Sequence, residues 1–215
     1  MTDVAAGFET IYADAHLLVL NKPAGLLSVP GKGVDKQDCL SSRVQKSYPD
    51  ALIVHRLDMA TSGLMLMARG SAMQTALSKL FEIRSVYKRY AAIVDGHMPA
   101  SADWQLIDLP IALDWTNRPL RIIHPDGKSS QTRWRALHHD KGANTTRLEL
   151  EPITGRSHQL RLHLKALGHP ILGDVLYAPA DVQAKADGLL LHACALQFLH
   201  PAIGEDMVFE NAPVF

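Results

Sequence analysis

Hydrophobic residues recur along this chain with the periods of both strands and helices, which predicts an α+β fold. Residues 8–12 and 16–20 are rich in branched and aromatic side chains, and the gap at Asp14-Ala15 is of hairpin size. Leu64–Ala68 is almost wholly apolar, which is typical of a buried strand. From Ser71 to about Arg84, apolar residues recur at helical spacing, so we expect a helix with one buried face.

Further strands are expected in the second half of the chain. Val86–Val94 and Asn144–Glu151 show the alternation of a strand. The turn sequence Pro125-Asp126-Gly127-Lys128 lies between the segments Leu120–His124 and Gln131–Leu137. Turns of this composition join paired strands, so these two segments are predicted to form a hairpin.

Two more helices are indicated by capping residues. Asp38 is predicted to be the N-cap of a short helix that ends before Pro49. Ser157 is predicted to be the N-cap of a later helix. The buried stripe of that later helix would consist of Leu160, Leu164 and Leu167.

Composition is that of a globular protein with a full hydrophobic core. The 215 residues, 47% of them hydrophobic, are expected to form one domain, 1–215. No apolar run approaches eighteen residues, and Met1–Val4 lacks the start of a signal peptide, so we expect neither membrane span nor secretion. Cys39 and Cys194 have no CxxC spacing, which favours a reducing cytoplasm and no metal site.

Charge is balanced in total but unevenly distributed along the chain. Twenty-two basic residues match 22 acidic ones, whereas a nucleic-acid-binding protein is usually more basic. Residues 43–90 carry eight basic and three acidic residues, net +5, and residues 169–215 carry one basic and six acidic, net −5. Such a distribution still allows a basic face toward a phosphate backbone.

Nine residues, His55–Gly63, form a polar loop directly before the apolar strand. Asp58 lies two residues after Arg56 and just before a Thr-Ser-Gly turn, so polar neighbours can keep its carboxylate ionised and nucleophilic. The alternative is an ordinary turn with Asp58 as a hydrogen-bond acceptor and Arg56 as its surface partner. For an isolated Arg-x-Asp, the ordinary turn would be the better interpretation.

A second polar block, Ile153–His163, follows the strand that ends near Glu151. Arg156 stands just ahead of the predicted helix, where the macrodipole also favours an anion, so it is well placed to pair with Asp58. His158 and His163 lack the glutamate of an H-E-x-x-H site. We therefore expect both histidines to be structural hydrogen-bonding residues.

Arginines alternate with aromatic residues on one predicted strand. Arg133 and Arg135 would lie on one face and Trp134 on the other, while Trp115 and Arg118 lie in a segment further upstream. Arginines and aromatic rings suit RNA phosphates and bases. A solvated surface explains the arginines equally well.

Four sequence blocks resemble those of the RluA family of pseudouridine synthases, in the family's order and over nearly the whole chain. They are N-K-P-x-G-L from Asn21, H-R-L-D-x-x-T-S-G from His55, T-G-R-x-H-Q-L-R from Thr154 and L-x-L-H-A from Leu189. The segment from Gly168 to Tyr177 is similar to the family's H-P-I-x-G-D-x-x-Y turn. Gly188 departs from the arginine that relatives often carry, and no S4-type RNA-binding domain is evident.

The resemblance implies an α+β catalytic domain with a long mixed, mostly antiparallel sheet, flanking helices and a central catalytic cleft. It implies that uridine is converted to pseudouridine in 23S rRNA and in the tRNA anticodon stem-loop, at position 32. A monomer that needs no metal and no cofactor is expected.

The family's catalytic roles fall on three residues of this chain. Asp58 would be the catalytic carboxylate, and its action as nucleophile or as base stays open. Arg156 would hold Asp58 charged and aimed. The family pattern K-x-Y matches Lys88-Arg89-Tyr90 and makes Tyr90 the ring that stacks on the target base, although from the residues alone Tyr87 is an alternative and both rings suit a core.

Four further residues are expected to bind the substrate. Arg56 would fill the space that the flipped uridine leaves, and Leu191 would form an apolar floor under the uracil. His55 and Ile153 would complete the binding pocket.

Three other functions are compatible with parts of the sequence. A glycosidase needs a second carboxylate, and within the strong blocks only Asp174 could supply it. A non-catalytic RNA-binding module would explain the arginines and the aromatic residues, but it would not need Asp58 paired with a Gly-Arg turn. A synthase specific for either tRNA or rRNA is the third alternative.

Overall fold

The computed structural model describes residues 7–215, so residues 1–6, on which the signal-peptide expectation depends, lie outside the described part. Contacts along the described chain divide it into two compact units. The first unit runs to Lys88 and also contains His192–Val214, and the second contains Arg89–Leu191 with Phe215. The single domain 1–215 stays a prediction.

Residues 7–215 form twelve strands and four helices. The strands are β1 (Glu9–Ala13), β2 (Leu17–Lys22), β3 (Ala51–Ile53), β4 (Ser62–Arg69), β5 (Tyr87–Asp95), β6 (Gln105–Asp108), β7 (Ile111–Leu113), β8 (Arg121–Ile123), β9 (Gln131–Asp140), β10 (Thr145–Pro152), β11 (Leu191–Leu199) and β12 (Asp206–Glu210). The helices are α1 (Leu40–Ser47), α2 (Ser71–Glu82), α3 (Gln159–Ala166) and α4 (Ala180–Gln183), and Val34–Lys36 forms a 3₁₀ turn.

The first unit is built on a sheet in the order β1-β2-β4-β11. β1 and β2 form the predicted antiparallel pair, and β2 runs antiparallel to β4. The other edge of β4 is shared: β3 pairs antiparallel with its C-terminal end, and β11 pairs parallel with Ser62 and Gly63 at its N-terminal end. Met73 and Leu77 of α2 pack on Leu64 and Leu66 of β4, which confirms the predicted buried face of α2.

The second unit contains an antiparallel sheet in the order β5-β10-β9-β6 and a separate two-stranded sheet of β7 and β8. The strands predicted at Val86–Val94 and Asn144–Glu151 are β5 and β10. Ile111 of β7, Leu162 of α3 and Tyr177 form a small buried cluster, which fixes the β7–β8 sheet against α3.

The predicted hairpin around residues 125–128 is wrong. β8 pairs with β7, and β9 pairs with β10 and β6, so this turn carries the chain from one sheet to another. Lys128 exchanges both backbone hydrogen bonds with Ile111, at 2.9 and 3.0 Å. A Cβ on Gly127 would lie 2.6 Å from the carbonyl carbon of Ile111, so glycine is needed for the close approach. Turn chemistry is local and could not reveal these pairings.

Helix α1 begins one residue later than predicted, with Cys39 as its N-cap. The Cys39 sulfur accepts a hydrogen bond from the Ser42 N–H at 3.5 Å, and the Ser42 hydroxyl accepts one from the Cys39 N–H at 3.2 Å. Asp38 instead forms an ion pair with Arg43 at 2.6 Å. The guanidinium therefore competes successfully for the predicted capping carboxylate, and lowers its pKa.

Helix α3 also begins later than predicted. Its N-cap is His158, in the left-handed conformation at φ 59°, and neither His158 nor the predicted Ser157 makes a side-chain cap. Leu160 and Leu164 are buried as expected, but Leu167 is 39% exposed because α3 ends at Ala166.

The predicted α+β class with a mixed, mostly antiparallel sheet is confirmed. The predicted central cleft stays a prediction. Among residues 7–215 we find no helix with the length and apolar character needed to cross a membrane.

Candidate active site

The polar loop at 55–63 joins β3 to β4 and contains one tight turn. The Asp58 carbonyl accepts a hydrogen bond from the Thr61 N–H at 3.1 Å. The Asp58 side chain is partly buried, whereas Arg56 is exposed. Asp58 is therefore a turn residue, as the ordinary interpretation requires, but the turn is held by more than its own hydrogen bond.

Ser28 anchors the loop on the N-terminal side of Asp58. Its hydroxyl donates to the Leu57 carbonyl at 2.7 Å and accepts from the Leu57 N–H at 3.1 Å. Both Ser28 and Leu57 are buried. One hydroxyl therefore satisfies both backbone groups of the residue next to Asp58.

Lys22 anchors the loop on the C-terminal side of Asp58. This lysine is fully buried, and its ammonium donates to the carbonyls of Pro23 and Leu26 at 2.8 Å and of Met59 at 3.1 Å. Burial lowers the pKa of Lys22 to about 8, and the Asp58 carboxylate opposes that shift. This interaction indicates that the buried positive charge of Lys22 lies near the carboxylate of Asp58, the candidate catalytic group. Lys22 is not among the site residues that the sequence predicts, and its place in N-K-P-x-G-L is the signal that could have identified it.

His55 is engaged in the interior of the first unit. Its Nε2 accepts a hydrogen bond from the Leu66 N–H at 2.8 Å, and its ring stacks on Phe81 with centroids 4.5 Å apart. Burial, with a smaller contribution from the Lys88 charge, lowers the pKa of His55 to about 3, so the ring is neutral. These contacts fix the start of the loop to β4 and α2. The predicted contact of His55 with substrate stays a prediction.

The end of the loop is joined to β11. The Ser62 hydroxyl lies 2.9 Å from Nδ1 of His192, and Nε2 of His192 lies 2.9 Å from Oδ1 of Asn211. Burial lowers the pKa of His192, so a neutral ring donates through Nε2 and accepts the Ser62 proton at Nδ1. At Gly63, with φ +110°, a Cβ would lie 2.3 Å from the Ala193 oxygen. The H-R-L-D-x-x-T-S-G and L-x-L-H-A blocks are therefore packed directly together.

In the second unit, Gln159 organises the Arg156 segment. Its Oε1 accepts from the Thr154 hydroxyl at 2.7 Å and from the Arg156 N–H at 3.0 Å, and its Nε2 donates to Thr132 at 3.0 Å. His163 continues the network, with Thr132 at 2.9 Å from Nδ1 and the Leu109 carbonyl at 3.0 Å from Nε2. The expectation that His163 is structural is confirmed.

His158 is also structural, as expected. Its Nδ1 lies 2.7 Å from the Tyr177 hydroxyl, and that hydroxyl accepts from the Arg121 N–H at 3.0 Å. Arg156 itself is exposed, and its Nε donates to the Ser129 carbonyl at 3.3 Å. The backbone of Arg156 is thus fixed while its guanidinium remains accessible.

The remaining site residues of the second unit lie on or beside the sheet. Tyr90 is partly buried on β5, opposite Leu150 of β10. Ile153 donates its N–H to the Gln131 carbonyl at 3.0 Å, just after β10, and Leu191 at the start of β11 is 3% exposed. Their predicted roles toward the uracil stay predictions.

Asp174, the second carboxylate that a glycosidase would need, is committed to a buried ion pair. Arg161 reaches it through two bonds, Nη2 to Oδ1 at 2.5 Å and Nε to Oδ2 at 2.8 Å, and the two side chains are 3% and 1% exposed. Its Oδ1 also accepts the N–H groups of Leu176 and Tyr177. A carboxylate held in this way by an arginine and two backbone donors is structural, which argues against a role as an acid catalyst.

The arginines of β9 are paired across the sheet. Arg133 lies 3.1 Å from Glu151 and Arg135 lies 2.5 Å from Glu149, both on β10. Both guanidinium groups also lie over the Trp104 ring, at 5.1 and 4.8 Å from its centroid. These contacts favour the solvated-surface interpretation of the two arginines.

Comparison with known proteins decides the family. A family model described as RNA pseudouridylate synthase matches residues 16–166. The chain belongs to this family. It is 49% identical over 197 residues to the dual-specificity RNA pseudouridine synthase RluA of Vibrio vulnificus. This alignment covers 90% of this chain and 78% of the relative. It is also 48% identical over 201 residues to RluA of Escherichia coli K12, in an alignment that covers 93% of this chain and 90% of the relative.

A solved structure agrees with this family assignment. The human RNA pseudouridylate synthase domain containing 1 protein is 28% identical, with a TM-score of 0.81 over 97% of this chain and 84% of the human chain. The predictions of RluA-family membership and of pseudouridine synthase activity are confirmed. The roles of individual residues, including Asp58, stay predictions.

Proposed function

We propose that this pseudouridine synthase isomerises uridine in both tRNA and 23S rRNA, with Asp58 as its catalytic carboxylate. The observation that carries the proposal is the anchoring of Asp58. Ser28 and Lys22 bind the backbone of the residues on its two sides, and Lys22 places a buried ammonium close enough to interact electrostatically with its carboxylate. A surface turn has no need of a buried lysine.

The chemistry requires a carboxylate that is ionised and held in place. The N1–C1′ bond must break, the uracil must rotate, and C5 must bond to C1′ while its hydrogen leaves as a proton and N1 regains one. An ionised carboxylate can attack C1′ directly or remove a sugar proton to give a glycal. Asp58 serves in either route, and neither route calls for a metal or a cofactor.

The other predicted residues enter the proposal around Asp58. Arg156, with its backbone fixed by Gln159, would hold the carboxylate charged and aimed. Tyr90 would stack on the base, and Leu191 and Ile153 would keep water from the freed uracil. Arg56, which is exposed, would fill the space of the flipped uridine.

His55 would contact the substrate from the start of the loop, where its bond to Leu66 and its stacking on Phe81 hold it in place. Two RNA substrates are proposed because the RluA relatives carry the name of dual-specificity enzymes. Position 32 of tRNA, the monomeric state and the cytoplasmic location rest on the sequence resemblance and composition.

The test is tritium release from [5-³H]uridine-labelled tRNA and 23S rRNA transcripts. We expect release by the wild type and by an Asp50→Asn control, and none by Asp58→Asn, which keeps the turn carbonyl and the side-chain size. A gel-shift assay on the same RNAs shows whether Asp58→Asn still binds. Equal release by Asp58→Asn would contradict the catalytic assignment, and release from one transcript alone would contradict dual specificity.

A further inference from the structure

A cavity of about 470 Å³ lies in the second unit between the β7–β8 sheet and the segment before α3. Its lining includes three cationic residues, Arg121, Lys128 and Arg156. Asp126 is the carboxylate among the lining residues, and it is almost fully exposed to solvent. The cavity therefore has an excess of positive charge in a chain whose formal net charge is zero.

Arg121 is held beside this cavity with part of its guanidinium unsatisfied. Its N–H donates to the Tyr177 hydroxyl at 3.0 Å, and Tyr177 is 5% exposed, so the backbone at Arg121 is fixed. The Nε atom of Arg121 is buried and has no hydrogen-bond partner among the residues that the structure describes. An unpaired buried donor is unfavourable, and more so when the group is charged. A negatively charged ligand in the cavity would offset the cost of this buried cationic group electrostatically.

Backbone features of the segment before α3 also suit an anion. Gly155 borders the cavity, and a Cβ built there would meet no atom within 4 Å, so a ligand can approach the backbone. The eight-residue helix α3 begins just after Ser157 and has no side-chain cap at its first turn. The N–H groups and the dipole at such a helix start favour negative charge. Arginine, lysine and a helix start together match the oxygens of a phosphate.

We propose that this cavity binds one backbone phosphate of the substrate RNA, at a nucleotide near the target uridine. The inference rests on the proposed function, because RNA is the phosphodiester that this family modifies. Arg121 and Lys128 are the residues that it adds to the site, and Arg156 belongs both to the cavity and to the proposed catalytic group. The phosphate would fix the register of the RNA strand while the base is read elsewhere.

The test measures binding of a fluorescently labelled tRNA anticodon stem-loop and a 23S rRNA stem-loop at several salt concentrations. Lys128→Gln and Arg121→Met each remove one cation, and Lys141→Gln removes an exposed cation that does not line the cavity. We expect each cavity variant to weaken binding about tenfold, the size of one charge-assisted hydrogen bond. In each cavity variant the magnitude of the negative slope of log K against log salt should decrease by roughly 0.7 to 1. Lys141→Gln should leave this slope unchanged.

A methylphosphonate scan of the stem-loop then locates the phosphate. One neutralised position should weaken binding by the wild type and leave binding by Lys128→Gln unchanged, because the contact is already lost. Thermal unfolding of Arg121→Met shows whether that variant is folded, and Lys128→Gln tests the inference at an exposed position in any case.

The proposal is overturned if Lys128→Gln and Lys141→Gln have the same slope, or if every methylphosphonate acts additively with Lys128→Gln. Absence of wild-type binding to both RNAs would overturn it as well. Tritium release by Asp58→Asn would refute the proposed catalytic role without affecting these binding results, so the two failures are distinguishable.

Discussion

The Lys22 ammonium donates a hydrogen bond to the Met59 carbonyl at 3.1 Å, across 37 positions of the sequence. The same ammonium also bonds the Pro23 and Leu26 carbonyls, so its three donors all end on backbone oxygens. The N-K-P-x-G-L block is thus the support on which the Asp58 turn is built. Lys22 acts on Asp58 through that backbone and through its charge.

Replacement of Lys22 by methionine should damage both stability and turnover. Lys22→Met keeps most of the length of the side chain but leaves three carbonyls without this donor, at an expected cost of about 2–4 kcal/mol in the free energy of unfolding. Tritium release should fall even where the variant is fully folded, because the turn that carries Asp58 loosens. Urea unfolding and tritium release at a low temperature measure the two effects. A stable variant with wild-type release would contradict the role given to Lys22.

Comparison of the wild type with Lys22→Met should also reveal a dependence of the free energy of unfolding on pH in the alkaline range. Since burial lowers the pKa of Lys22 to about 8, between pH 8 and about 10 the unfolded chain binds a proton that the folded protein has released. The free energy of unfolding of the wild type should therefore rise with pH in this window relative to Lys22→Met, by up to about 3 kcal/mol. Urea unfolding of both proteins at pH 7.5, 8.5 and 9.5 tests this, and parallel curves would contradict it.

Gly63 should tolerate no side chain. A Cβ there would lie 2.3 Å from the Ala193 oxygen and 2.5 Å from its nitrogen, where β4 and β11 pair. Gly63→Ala should therefore prevent the pairing and yield unfolded protein or a loss above about 4 kcal/mol. Gly70→Ala is the matched control, because Gly70 also has a positive φ of +80° but nothing lies within 4 Å of its Cβ. It should cost about 1 kcal/mol, the backbone strain alone. Circular dichroism melts compare the two.

Sequence patterns predicted best where local periodicity decides the structure. The apolar run that became β4 and the stripe of α2 needed no partner to be recognised, since burial alone dictates them. Strand pairing between distant segments of the chain is harder to predict from local patterns. The turn at Pro125–Lys128 has the residues of a hairpin, yet β8 pairs with β7, because the contacts with Ile111 are non-local.

The candidate site shows the same division. The residues of the polar loop were identified from a motif, but the supports at Lys22 and Ser28 depend on hydrogen bonds to backbone atoms, which leave no periodic trace in a sequence. The motif also identifies His55, but the hydrogen bond that its Nε2 accepts from the Leu66 N–H is visible only in the structure. A motif indicates that a residue is constrained, and the structure shows which contacts constrain it.

His55 gives a pH dependence of the same sign as that of Lys22 but in the acidic range, because both pKa values are lowered in the folded protein. Its pKa is lowered from 6.5 to about 3, so between these values the unfolded chain binds a proton that the folded protein does not. The free energy of unfolding should fall as the pH falls below 6.5, by about 1–2 kcal/mol at pH 5 from His55 alone. His55→Gln keeps an acceptor for the Leu66 N–H and does not titrate. Its unfolding free energy should therefore fall less between pH 7 and pH 5, and equal losses would contradict the assignment.

The buried pair of Arg161 and Asp174 predicts strong coupling between two substitutions. Arg161→Met leaves a carboxylate that is 1% exposed with backbone donors alone, and we expect a loss of about 3–5 kcal/mol in the free energy of unfolding. Asp174→Asn should also destabilise, because it leaves Arg161 charged and buried. The double variant should lose at least about 1 kcal/mol less than the sum of the single losses, since no charge is then left unpaired. Additive losses in denaturant titrations would show that the pair is not coupled. Tritium release by the folded double variant would in addition exclude Asp174 as a second catalytic carboxylate, as its ion pair already indicates.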